Sequence, residues 1–292
     1  MNASTRAASS VNDDAAGVAT RRAKLACVTK AEAWNSGDAY EPYVGRWSRR
    51  LAPTFLGWAQ VSAGWTLDVG CGTGALSQAL IDRSIHPVVG IDPSAEYVAY
   101  ASAHVTKGTS RVSFLVGDAT ALPFDATTFN TAVSGLVLNF VSQPLLAVRE
   151  MRRVVHRHGA VACYVWDYAG TMELMRYFWD AAVELDPQRA GTFDEGIRFP
   201  ICRPDHLTTL FRDGGLKEIA TTSIDVATVF RDFNDYWHPF LGGQGAAPRY
   251  AMSLDPRRRE QLRDLIQTRI PIRSDGSIHL IARAWAVKGT RT

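Results

Sequence analysis

Cysteine is scarce in this chain. Its 292 residues hold four, Cys27, Cys71, Cys163 and Cys202. They form no C-x-x-C pair and no Cys/His cluster at zinc spacing, which excludes a disulfide framework and leaves no metal ligand set in the sequence. Isolated thiols of this kind fit a reduced, cytoplasmic setting. Charge of one sign is lacking too: 32 Lys plus Arg stand against 29 Asp plus Glu, a formal net charge of +3. The basic clusters Arg49-Arg50 and Arg257-Arg258-Arg259 are short. The second follows Asp255-Pro256, a helix start, and reads as a solvated helix face, so no nucleic-acid partner is indicated. No apolar run approaches the length of a membrane span. Residues 1–30, rich in Ala, Ser and Thr, lack the apolar core of a secretory signal and predict a disordered tail ahead of a single domain over 31–292. No internal repeat is visible, and nothing in the pattern specifies an oligomeric state.

What the chain does have is concentrated in Leu67-Asp-Val-Gly-Cys-Gly-Thr-Gly-Ala75. An apolar strand breaks into a turn with Gly70, Gly72 and Gly74, and Leu76, Ala79 and Leu80 follow at helical spacing. Without a Cβ the backbone turns tightly and approaches a ligand closely. Such a strand–loop–helix unit is a site for nucleotide-like cofactors. Gly70, Gly72 and Ala75 also satisfy the dinucleotide pattern, so a nicotinamide-dependent oxidoreductase shares this signature. Asp68 separates the two: it repels a pyrophosphate and favours the ammonium and sulfonium of S-adenosylmethionine. A second strand, Val88–Ile91, ends in Asp92-Pro93-Ser94, about twenty residues on, where a doubly wound fold holds the acid for ribose hydroxyls. A third, Val112–Val116, ends in Gly117-Asp118-Ala119, and Asp118 suits an adenine amino group.

These residues carry a resemblance to class I S-adenosylmethionine-dependent methyltransferases of the UbiE-like group, running from about Tyr40 to Val287. Leu67–Gly74 resembles the family's first motif, Val88–Ser94 its ribose-binding motif, and Phe114–Phe124 its adenine motif with a Leu-Pro-Phe continuation. The resemblance implies a doubly wound, Rossmann-like α/β sheet of seven strands with the last strand antiparallel. It also implies S-adenosyl-L-methionine as cofactor, held by Asp68, Gly70, Cys71, Gly72, Thr73, Gly74, Asp92, Pro93, Ser94, Asp118, Ala119 and Leu136. Ahead of the first strand, Tyr43 and Arg46 resemble a segment that closes over the cofactor, Arg46 pairing with its carboxylate; packing of a helix onto the core is the competing reading. Missing motifs narrow the acceptor. Ser134–Asn139 is not the Asp/Asn-Pro-Pro-aromatic turn of nucleic-acid amino methylases, and the paired-glutamate loop of protein arginine methyltransferases is absent. A small-molecule acceptor methylated by in-line displacement, without a metal, is what remains. A catalytically silent cofactor-binding protein shares every feature named so far.

Further along, the pattern predicts a strand over Thr131–Leu138, a helix from Pro144 to Arg157 capped by Gly159, a strand over Ala160–Val165, a helix from Pro204 to Gly214, and strands over Leu216–Ile224 and Ser277–Val287. Three segments fall outside this core: a helical cap over 31–60, and insertions over 167–203 and 226–273. The insertions are too long for plain loops and are expected to form helical lids. The second carries Phe230, Phe233, Tyr236, Trp237 and Phe240 in eleven residues, either core packing or part of an acceptor pocket. Within it His238 is the candidate general base, on the expectation that burial among aromatics keeps it neutral.

Overall fold

The computed structural model describes residues 41–105, 111–242 and 245–292. The expected tail over 1–30 and residues 31–40 of the N-terminal cap lie outside them. A seven-stranded sheet has the order β3-β2-β1-β4-β5-β7-β6. Its strands are β1 (Thr66–Val69), β2 (Val88–Asp92), β3 (Val112–Val116), β4 (Phe129–Gly135), β5 (Val155–Trp166), β6 (Lys217–Phe230) and β7 (Ile278–Thr290). The first five run parallel, and β7 inserts antiparallel to both β5 and β6, as expected. Every residue of β1 and β2 is buried, the mark of parallel strands covered on both faces.

The helices follow the chain as α1 (Arg46–Ala59), α2 (Ala75–Asp82), α3 (Ala95–His104), α4 (Pro144–Val154), α5 (Glu173–Leu185), α6 (Pro187–Ala190), α7 (Glu195–Arg198), α8 (Pro204–Asp213), α9 (Phe233–Trp237), α10 (Ala246–Ser253) and α11 (Pro256–Arg269). A π-turn over Glu41–Gly45 leads into α1. α1 packs on α2, and α4 on α8. Among the described residues no helix is long and apolar enough to cross a membrane.

Several boundaries differ from expectation. β4 stops at Gly135 because Leu136 takes a left-handed φ of 63°, which bends Val137 and Leu138 out of the sheet. α4 ends at Val154, and Gly159 is not its cap. Arg291, past the end of β7, caps the helix instead, donating from Nη1 to the carbonyls of Arg152, Arg153 and Val155. Gly159 serves packing: a Cβ there would lie 2.5 Å from the Asn130 carbonyl on β4. The register of β4 on β5 jumps from Phe129↔Val155 to Thr131↔Ala160, a bulge that absorbs His156–Gly159. Finally, β6 runs on to Phe230, paired with β7 without a break from Ala220 to Phe230, so residues 226–230 belong to the sheet rather than to the second insertion.

The two insertions pack on each other. α5 meets α10 and α11, Phe178 stacks on Phe240 at 4.6 Å, and Tyr236 Oη donates to the Leu174 carbonyl at 2.9 Å. The aromatic stripe is therefore core: Phe230 at the end of β6 and Phe233, Tyr236, Trp237 and Phe240 of the second insertion are all buried. Tyr43 joins it, edge-on to Phe240.

Candidate functional site

A cavity of about 600 Å³ opens at the C-terminal ends of β1, β2, β4 and β5, where open α/β sheets bind ligands. One half is built by the glycine loop. Gly70 takes φ 72°, and its backbone N–H and that of Cys71 both donate to the Ile91 carbonyl of β2. A Cβ on Gly70 would sit 2.3 Å from Val137, so this turn admits only glycine. Gly74 (φ 85°) opens α2, and a Cβ there would fall 2.3 Å from Val105.

Carboxylates line this half. Asp68 is fully buried; its Oδ2 accepts from Ser77 Oγ at 2.6 Å, while Oδ1 has no hydrogen-bond partner. Burial pushes its carboxyl up to about 7, against the Ser77 hydrogen bond, and Asp92 nearby pushes the same way. Asp92 accepts from the Gly72 N–H (3.0 Å) and the Ser94 N–H (2.9 Å). Burial raises its pKa and these two bonds oppose the rise. Asp118 Oδ1 accepts from the backbone and the hydroxyl of Thr120, each at 2.8 Å. Its loop is pinned from α4: Glu150 accepts from the Leu122 N–H, and Arg153 donates to the carbonyls of Leu122 and Phe124. The Leu-Pro-Phe continuation is thus an anchor for the loop that carries Asp118.

Most sequence-nominated residues meet here. Tyr43, Asp68, Gly70, Cys71, Gly72 and Thr73 line the cavity, as do Asp92, Pro93, Ser94, Asp118, Ala119 and Leu136. Burial pushes the Cys71 thiol up, with Asp68 and Asp92 adding to it, so it stays protonated. Three nominees do not line the cavity. Gly74 faces Val105 and Ala101 of the α3 end. Arg46 faces away: its guanidinium pairs with Asp235 at 3.3 Å and lies over the rings of Trp47 and Phe230. It ties α1 to the second insertion, and is not placed to meet a cofactor carboxylate. His238 is exposed at the start of a 3-10 turn while its aromatic neighbours point inward, so the burial expected of it is not there. Asp167, just past β5, accepts from the Thr171 N–H at 2.8 Å and caps the turn into α5.

Two carboxylates escaped the sequence reading. Glu41 accepts a two-pronged ion pair from Arg49 and a hydrogen bond from Thr73 Oγ1 at 2.7 Å, docking the N-terminal turn on the glycine loop. Glu195, at the start of α7, is buried and lines the far half of the cavity. That half also holds Tyr43, Phe140, Tyr164, Trp166, Tyr168 and Met175. The second insertion contributes no lining residue among those described; it supports α5 from behind.

The sheet order and the glycine loop are those of the Rossmann-like methyltransferases. A family described as Methyltransferase domain matches residues 67–163. A demethylmenaquinone methyltransferase of Roseiflexus castenholzii is 36% identical over 178 residues, spanning 55% of this chain and 71% of that one. Another, from Bacillus licheniformis, is 26% identical over 193 residues, 62% and 75% of the two chains. Among solved structures, the YcgJ protein of Bacillus subtilis shares the fold with a TM-score of 0.54 at 18% identity, covering 83% of this chain and 98% of its own. The chain belongs to the class I S-adenosylmethionine-dependent methyltransferase family.

Proposed function

We propose that this protein binds S-adenosyl-L-methionine and transfers its methyl group to a small aromatic acceptor. The observation that carries this is the charge of the wall. Asp68, Asp92, Asp118 and Glu195 line the cavity, and no Arg, Lys or His does among the described residues. A dinucleotide would bring a diphosphate against carboxylates with no cation to meet it. A sulfonium with an ammonium meets what it needs, and the partnerless Oδ1 of buried Asp68 fits an ammonium N–H. Asp92 fits the ribose hydroxyls and the Asp118 loop the adenine.

The bound cofactor supplies an electrophilic methyl on a sulfonium sulfur. The chain's own residues bind, align and exclude water. Orientation alone is worth up to roughly 7–11 kcal/mol of barrier in well-aligned reactions. Asp68, Asp92 and the glycine loop fix the cofactor end, and the ring-lined half beyond β4 and β5 takes the acceptor. The relatives named demethylmenaquinone methyltransferase support a flat ring as the acceptor's shape. Incubation with S-adenosylmethionine labelled in its methyl group, across a panel of phenolic and quinol acceptors, tests the reading. Label should move to an organic-soluble product. If S-adenosylhomocysteine binds and no label moves to any acceptor, the protein is a silent cofactor binder.

A further inference from the structure

Glu195 is a carboxylate in an otherwise ring-lined and apolar chamber. It is 4% exposed. Its Oε2 accepts from Trp179 Nε1 at 2.5 Å, so its position is set from α5 by a buried indole. It shares the chamber with Tyr43, Tyr168 and Met175. Tyr43 does not supply a base: burial raises its phenol well above the ordinary value, with Glu195 adding to the rise, and its hydroxyl donates to Met175 Sδ. No charged side chain besides Glu195 lines this far half among the described residues.

We propose that Glu195 is a catalytic residue that receives the proton of a hydroxyl on an aromatic acceptor. This rests on the methyltransferase reading above. The hydroxyl donates its hydrogen bond to the carboxylate while the ring lies among Tyr43, Tyr168 and Trp166. As the acceptor oxygen forms its bond to the methyl carbon, the carbon–sulfur bond breaks and sulfur keeps the electron pair. The hydroxyl proton passes to Glu195, which becomes a carboxylic acid and then releases it to solvent. The chemistry favours a hydroxyl over an amine. A carboxylate beside an amine stabilises the ammonium, which has no lone pair to attack with, whereas beside a hydroxyl it raises the electron density on oxygen. The titratable groups around it are Tyr43 ahead of α1, Tyr168 after β5 and Cys202 ahead of α8, with the Arg176–Asp194 pair adjacent in the same insertion.

The test is calorimetric and uses the full-length protein saturated with S-adenosylhomocysteine. The probes are 2-naphthol, 2-methoxynaphthalene, which cannot donate a hydrogen bond, and benzylammonium. The wild type should bind 2-naphthol at least tenfold more tightly than the methyl ether, a difference of about 1.4 kcal/mol or more. In Glu195→Gln that preference should fall below threefold, with S-adenosylhomocysteine affinity and unfolding midpoint unchanged. No preference in the wild type, a preference that survives Glu195→Gln, or tighter binding of benzylammonium than of 2-naphthol would each overturn the assignment. The wild-type arm needs no variant, so a misfolded Glu195→Gln leaves the proposal open to refutation. Failure of S-adenosylhomocysteine itself to bind would instead strike the cofactor reading.

Discussion

Replacing Asp68 by Asn should stabilise the ligand-free protein at neutral pH while weakening its grip on the cofactor. Burial lifts the Asp68 carboxyl from 3.8 to about 7. At 1.36 kcal/mol per unit of pKa difference, the ionised carboxylate costs the ligand-free fold about 4 kcal/mol. The sign follows from the folded state holding the proton more tightly than the unfolded chain. The penalty is absent below about pH 4, grows as pH rises towards 7, and is constant above the folded-state pKa. Asp68→Asn does not titrate. Its buried amide next to Ser77 introduces an offset of about 1–3 kcal/mol that does not vary with pH. Urea unfolding of ligand-free protein from pH 4 to 8 reads the effect: the wild type should lose up to about 4 kcal/mol relative to Asp68→Asn across that window. S-adenosylhomocysteine affinity should move the other way in the wild type, rising as Asp68 ionises, and stay flat and weaker in the variant. Parallel stability curves for the two proteins would refute a buried, titrating Asp68.

Other outcomes follow from the same geometry. Asp92→Ala removes a charge-assisted acceptor worth about 1.5–3 kcal/mol per bond and releases the Gly72 and Ser94 N–H groups, so S-adenosylhomocysteine should bind at least tenfold more weakly by calorimetry. Gly74→Ala places a Cβ against Val105 at a left-handed φ and should lower stability by about 1–3 kcal/mol in urea titration. Arg46→Ala breaks the Asp235 pair and two ring contacts. It should lower stability by about 1 kcal/mol and leave cofactor affinity within twofold; a tenfold loss of affinity would return Arg46 to the cofactor. His238→Ala, at an exposed position, should change stability by less than about 0.5 kcal/mol and turnover by less than twofold.

The half of the cavity built by the glycine loop was legible in the sequence because its geometry is local. A strand end, three glycines and the N-terminus of α2 fix the loop within nine residues, and Asp92 and Asp118 follow from the same strand-end rule applied to β2 and β3. The ring-lined half was not legible, because it is assembled by tertiary contacts. Glu195 follows Asp194, and the pair looks like an ordinary helix start; only the fold places Trp179 against its carboxylate and Tyr43 in the same chamber. Glu41 likewise matters through Thr73, 32 residues away. His238 misled for the opposite reason: a helical stripe of aromatics buries the stripe and turns the residue between its members to solvent. At Gly159, a glycine after a helix resembles a cap, yet its small size answers the Asn130 carbonyl of the neighbouring strand, and the cap comes from Arg291, more than 130 residues further on.

The acidic cavity at the head of β1, lined by no Arg, Lys or His among the described residues, should hold S-adenosylmethionine rather than a dinucleotide. Calorimetric titration of the full-length protein at pH 8 with S-adenosylhomocysteine, and in parallel with NAD and NADP, tests it most directly. S-adenosylhomocysteine should bind saturably at one site and neither dinucleotide should give heat; binding of NAD or NADP with none of S-adenosylhomocysteine would mean that the acidic wall does not select the ligand.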